Sequence, residues 1–215
     1  DQADAFIDFH QTIEETKQPF YIFPWSPEGW CWARAMQSAR VWVTRDPSTQ
    51  FAQGTRCTDE YVCLRGKPGL TVELSQKGFH PEAEALCWQS ILAAIRTAEA
   101  INDQQSLADV AAVQPDLEFY TPTHLEEFAS AEHTLRSGLV NFQPVTAGER
   151  LSADGAPELI APADGMLLFP KYPDRVQGRA VAPLLSAARV ADRRQLDIEG
   201  RIRILGANRL APAHD

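Results

Sequence analysis

The feature that most restricts how this chain can fold is a change of rhythm near Ala112. Before it, short apolar runs suited to strands alternate with stretches of helical period. Ala5 to Phe9 and Pro19 to Pro24 are such runs, and Arg40 to Thr44 is a third, β-branched one. Ser26-Pro27-Glu28 reads as a helix start for Trp30 to Ala39. Pro68-Gly69 breaks the chain before a strand at Leu70 to Leu74, and Pro81 to Ala100 carries helical periodicity through Leu86, Trp88, Ile91, Leu92 and Ile95. Beyond Ala112 the runs shorten to Leu117–Tyr120, Gly138–Phe142, Glu158–Ile160 and Met166–Phe169. Pro, Gly and Asp-Gly turns separate them at close intervals, with a further hairpin pattern over Gln195–Leu205. The first rhythm predicts an α/β layer and the second an all-β unit. The expected division is residues 1–112 and 113–215, with the boundary between about Ala98 and Asp116.

Charge narrows the partners. With 29 acidic against 20 basic side chains the net charge is −9, and the basic residues form no long stripe. Such a surface repels nucleic acid and anionic membranes, which leaves small molecules or proteins as partners and a homo-oligomer open. No apolar run approaches the roughly 20 residues that span a bilayer, and the polar, acidic start is unlike a signal peptide, so the expected location is cytoplasmic. Cys31, Cys57, Cys63 and Cys87 show no C-x-x-C spacing and read as reduced core thiols. The first strand begins almost at once and no initiator methionine precedes it, as in the back part of something longer.

Two segments carry chemistry. Asp8-Phe9-His10-Gln11-Thr12 ends an apolar strand in an imidazole, and Gly69-Leu70-Thr71-Val72-Glu73-Leu74 places a carboxylate inside another. A neutral imidazole is a good zinc ligand and a carboxylate a good general base, so the pair points to a hydrolytic zinc site. Asp8, two positions before His10 on a strand, shares its face and is placed to orient a neighbouring group. Gln11 and Thr12 are candidates to hydrogen-bond substrate or the groups around it. The aromatic cluster Phe20, Tyr21, Phe23, Trp25, Trp30 and Trp32 reads as core before pocket.

On these segments, their separation and the β-rich tail, the chain resembles the succinylglutamate desuccinylase/aspartoacylase family of carboxypeptidase A-like zinc hydrolases. The resemblance implies a partial carboxypeptidase-like α/β zinc-hydrolase domain followed by a smaller all-β domain. It implies zinc as cofactor, His10 as the last of three metal ligands and Glu73 as general base on a metal-activated water. The substrate class implied is an N-acyl amino acid or similar small amide. In that family an arginine ahead of the catalytic glutamate binds a substrate carboxylate, which singles out Arg65, with Tyr61 beside it, at a somewhat shorter offset. A residue of the family's β domain reaches the pocket entrance, which singles out Tyr172. The family's H-x-x-E pair of upstream ligands has no counterpart, since nine residues precede His10. The rival readings are a zinc carboxypeptidase acting on peptides and a non-catalytic binding module with an incomplete metal site.

Overall fold

The computed structural model describes residues 3–48, 50–51, 56–115, 117–127, 132–170, 172, 186–196 and 202–204, the backbone alone for 123–127, 186–196 and 202–204. Its elements are β1 (Phe6–Thr12), β2 (Phe20–Ile22), α1 (Pro27–Met36), β3 (Val41–Val43), α2 (Thr58–Cys63), β4 (Gly69–Gln76), α3 (Pro81–Asn102), α4 (Leu107–Ala112), β5 (Glu118–Glu127), β6 (Pro144–Val145), β7 (Gly165–Leu168), β8 (Ser186–Leu196) and β9 (Ile202–Ile204). The strands form one mixed sheet in the order β1-β4-β2-β3-β5-β8-β7-β6, with β9 paired to β8. Strand β4 runs parallel to β1 and antiparallel to β2, while β2, β3 and β5 run parallel to one another.

Alternation along the strands sorts the core into two sides. Tyr21, Phe23, Trp42, Leu70 and Val72 face the helices, packing with Trp32, Ala33 and Met36 of α1 and with Ala93, Ala94 and Ile101 of α3. The other side carries Phe20, Ile22, Val41 and Val43, covered by Tyr120, Phe142 and Leu168. Trp42, 0% exposed, stacks on Phe23 with ring centroids 4.4 Å apart and donates its indole N–H to the Phe23 carbonyl at 3.2 Å. The Tyr21 hydroxyl donates to the Ala33 carbonyl and accepts the Ser38 N–H, each at 2.9 Å, and burial pushes its pKa up to about 12.

Helix α1 starts where its sequence says it should. Ser26 Oγ accepts the Gly29 N–H at 2.9 Å and Pro27 occupies the first turn, where its missing N–H costs nothing. It stops at Met36, short of the expected Ala39. Gln37 turns left-handed (φ 53°) and gives its N–H to the Ala33 carbonyl, freeing the chain to run into β3 beside β2. The expected strand at Leu70–Leu74 and helix at Pro81–Ala100 are present as β4 and α3. Helices α2 and α4, six residues each, were too short to show a period.

The second half is β-rich, and its strands extend the first sheet, because β5 lies parallel to β3 in register Val41↔Glu118 to Val43↔Tyr120. The expected boundary falls between α4 and β5, yet the sheet continues across it. A small core of Leu135, Leu139, Val145, Leu151, Leu159, Ala161, Leu167 and Tyr172 serves this half. Two expected strands are absent. At Gly138–Phe142 the backbone turns left-handed at Gly138 (φ 83°) and Phe142 (φ 61°), and Glu158–Ile160 makes only an isolated bridge, Arg150↔Ile160. The Gln195–Leu205 hairpin is seen as β8 and β9, antiparallel from Arg194↔Ile204 to Leu196↔Ile202, while Glu199-Gly200 lies outside the described residues. All four cysteines are partly buried thiols. Among the described residues no helix is long and apolar enough to cross a membrane.

Candidate functional site

The two chemistry-bearing segments lie side by side. Strands β1 and β4 pair in register Ile7↔Leu70, Asp8↔Thr71, Phe9↔Val72, His10↔Glu73. Ile7, Phe9, Leu70 and Val72 belong to the helix side, so Asp8, His10, Thr71 and Glu73 share the other face. Neighbouring strands stand about 4.8 Å apart, which makes His10 and Glu73 immediate neighbours across the ladder. Across β4 the register partner of Glu73 is Phe20 of β2. The pairing slips between His10 and Thr12, leaving an irregularity just past the imidazole.

The environments differ in a way that suits different tasks. Glu73 is 8% exposed, with Oε2 shut off from solvent, whereas the His10 side chain is 58% exposed. His10 Nδ1 lies 3.2 Å from Asp8 Oδ2. With Nδ1–H donated to that carboxylate, the lone pair of a neutral ring sits on Nε2, the tautomer of a histidine prepared to bind an electrophile. Gln11 and Thr12 tie the strand ends together: Gln11 Nε2 donates to the Gly78 carbonyl at 2.8 Å and Thr12 Oγ1 to the Glu14 and Ser75 carbonyls at 2.5 and 3.2 Å.

Walls come from aromatic residues that the sequence places in the core or in strands and not at a site. Phe20 packs edge-on to Phe142 at 4.8 Å and against Phe169 at 5.7 Å, and Phe169 meets Phe51 at 5.5 Å. Asn141, 0% exposed, anchors this layer to the turn after β1. Its Oδ1 accepts the Phe169 N–H at 2.6 Å, its Nδ2 donates to the Glu15 carbonyl at 3.1 Å, and its backbone bonds Glu15 and Lys17. The available signal was a lone amide inside the apolar run Gly138–Phe142.

Helix α2 covers the same face nearer the start of β4. A Cβ on Gly69 would lie 2.8 Å from the Asp59 carbonyl oxygen and 2.9 Å from Val62 Cβ, so only glycine admits the helix this closely. Arg45, just past β3, holds α2 in place. Its Nη2 and Nε reach Glu60 Oε1 at 2.6 and 3.2 Å, and Nη2 lies 3.5 Å from Asp59 Oδ2. Glu60 also accepts the N–H groups of Phe51 (2.5 Å) and Cys57 (3.0 Å). Burial holds the Asp59 pKa above the ordinary carboxylate value against the pull of Arg45. Burial alone would raise Glu60 as well, but the Arg45, Phe51 and Cys57 donors outweigh it and keep Glu60 low.

The remaining expected site residues are not gathered here. Tyr61 and Arg65 are exposed at the end of α2, where the guanidinium lies 3.4 Å over the Tyr61 ring and Nη1 donates to the Tyr61 carbonyl at 3.1 Å. They flank the Gly69 end of β4, four residues or about 13 Å of strand from Glu73. Tyr172 is buried in the core of the second half, its hydroxyl accepting the Leu139 N–H (3.1 Å) and donating to the Arg136 carbonyl (2.7 Å). Among the described residues no three His, Cys, Asp or Glu side chains converge as a metal-holding group. One imidazole beside a carboxylate falls short of the three protein ligands of a catalytic zinc, so these residues alone do not fit the ion.

No protein-family model matches the sequence, and no curated protein does. Solved structures match the fold. A succinylglutamate desuccinylase from Vibrio cholerae superposes with a TM-score of 0.65 at 16% identity, over 93% of this chain and 56% of that one. A succinylglutamate desuccinylase/aspartoacylase from Rhodobacter sphaeroides gives 0.55 at 17%, over 88% and 58%. The product-bound ectoine utilization protein EutE (DoeB) from Ruegeria pomeroyi gives 0.52 at 15%, over 88% and 58%. The chain thus spans a little over half the length of the structures it matches. The resemblance drawn from the two short segments holds at the level of fold.

Proposed function

We propose that this chain carries the proton-transfer half of an amide-hydrolysing site that removes the acyl group from an N-acyl amino acid or similar small amide. The observation that carries the reading is the pairing of His10 with a buried Glu73 on the face of the sheet turned away from α1 and α3. A carboxylate at that position can take a proton from an attacking water and return it to the departing amine nitrogen, so that the water oxygen and its second proton end in the new carboxylic acid and the amine leaves neutral. Its burial between β1 and β2 holds the acceptor oxygen in one place, and Phe20 and its aromatic neighbours keep bulk water from competing for it. Asp8 fixes the His10 ring so that Nε2 is the free nitrogen.

Zinc, when bound at such a site, supplies a Lewis acid and an activated water. His10 would supply one of the three protein ligands that such an ion needs and does not hold it alone. The shortness of the donor set among the described residues supports the non-catalytic binding module as second reading.

The test is Glu73→Gln, which keeps shape and removes the base. Hydrolysis of a panel of N-acyl amino acids is expected to fall by about 10²–10⁴-fold with the melting temperature little changed. Undiminished hydrolysis would refute the role of Glu73. Zinc content of the protein purified without added metal separates the two readings: near-stoichiometric zinc supports the hydrolase, and no zinc with no turnover supports the binding module.

A further inference from the structure

Helix α3 carries three large apolar residues on the wrong side for a helix that serves only its own core. The side turned to the protein carries Ala83, Ser90 and Thr97, the two hydroxyls folded back on the Leu86 and Ala93 carbonyls at 2.7 and 2.9 Å. The side turned outward carries Trp88 at 60% exposure, Leu92 at 49% and Ile95 at 50%, with exposed Ala85 in line. Positions 85, 88, 92 and 95 follow the three-four spacing of a coiled-coil seam, on a 22-residue helix about 33 Å long.

We propose that this seam is a self-association surface on which α3 packs antiparallel against α3 of a second copy of the chain. Charge placement selects that partner and that direction. Glu82, Gln89 and Arg96 recur every seven residues and form a row along one flank of the seam. In an antiparallel pair each flank row meets its own copy reversed. Glu82 then faces the second copy's Arg96, Gln89 faces its counterpart, and the ion pair forms twice. The same register sets Trp88 against Leu92 and Ala85 against Ile95, a large residue against a smaller one in each layer. A parallel pair would face Arg96, the one cation of α3, with the apolar Ile91 of the other flank. The antiparallel direction also opposes the two helix dipoles favourably. The seam and its charged flank hold far fewer residues than the roughly 20–30 a side of a standard interface, so association is expected in the micromolar range.

Sedimentation equilibrium from about 1 to about 200 µM protein tests this. The average mass is expected to rise from 23.9 kDa toward twice that value. Leu92→Asp, at an exposed site and therefore without harm to the fold, is expected to weaken the dimer by at least about 30-fold. Arg96→Glu is expected to weaken it about tenfold, and adding Glu82→Arg to the same chain to restore it. A protein that stays monomeric across the range, or a dimer indifferent to Leu92→Asp with circular dichroism unchanged, overturns the proposal.

Discussion

Replacing Arg45 by Met tests what holds the roof of the candidate site. Arg45 is 5% exposed and is the cation shared by two carboxylates, Asp59 and Glu60, each 3% exposed. Met keeps most of the side-chain volume, so the cost is electrostatic before it is packing. Glu60 would retain the N–H groups of Phe51 and Cys57, whereas Asp59 would lose the guanidinium that now opposes its desolvation. Breaking a buried pair by removing one partner costs about 3–5 kcal/mol, and that is the deficit expected at pH 7. The deficit also has a pH signature. A carboxylate whose folded pKa lies above its unfolded value binds an extra proton in the folded state, so stability falls as pH rises from the ordinary 3.8 through the folded pKa. Losing Arg45 moves that folded pKa further up and widens the window. Urea unfolding of wild type and Arg45→Met at pH 7 and at about pH 5 should show a smaller deficit at the lower pH, and adding Asp59→Asn should recover part of it at pH 7. A deficit below about 1 kcal/mol, or one equal at both pH values, would refute the reasoning.

Three further substitutions probe the layers around the face. Asn141→Ala removes the bonds to the Phe169 N–H and the Glu15 carbonyl at a fully buried position, and should cost about 2–4 kcal/mol in chemical denaturation. Gly69→Ala drives a methyl group against the Asp59 carbonyl and Val62, and should cost about 1–3 kcal/mol, with α2 displaced in a crystal structure of the variant. Tyr172→Phe strips the hydroxyl from the Leu139 N–H and the Arg136 carbonyl, and should cost about 1–3 kcal/mol while leaving any hydrolytic activity unchanged. Activity lost without a change in stability would instead place Tyr172 at the substrate.

The parts of this fold legible in the sequence are those whose signal is local. Ser26-Pro27 announces α1, Pro81 and the long apolar period announce α3, and Asp154-Gly155 marks a turn that the structure keeps at Gly155 (φ 78°). Gly138–Phe142 misled because apolar character records burial, and burial there is met by a turn whose backbone bonds the segment after β1. Continuity of the sheet from β3 into β5 was illegible, since strand neighbours are chosen by tertiary packing and not by composition. In the site, His10 and Glu73 were legible as chemical types in strands. The aromatic wall of Phe20, Phe142 and Phe169 was not, because its members are distant in sequence and each reads locally as core.

What fixes His10 beside Glu73 is the opposite face of the same two strands. Side chains alternate along a strand, so sliding β4 by one residue against β1 would exchange its faces. Glu73 and Thr71 would enter the helix-side core, and Leu70 and Val72, now 0% exposed, would turn to the site face. Burying a carboxylate among Tyr21, Trp32 and Trp42 without partners costs several kcal/mol, and the two aliphatic side chains would lose the core in which they now pack. The register that sets an imidazole next to a buried carboxylate is therefore enforced by residues with no chemistry of their own. A substitution such as Val72→Thr, whose side chain lies on the opposite face of the sheet from Glu73, acts on the site through this register and not through contact with it.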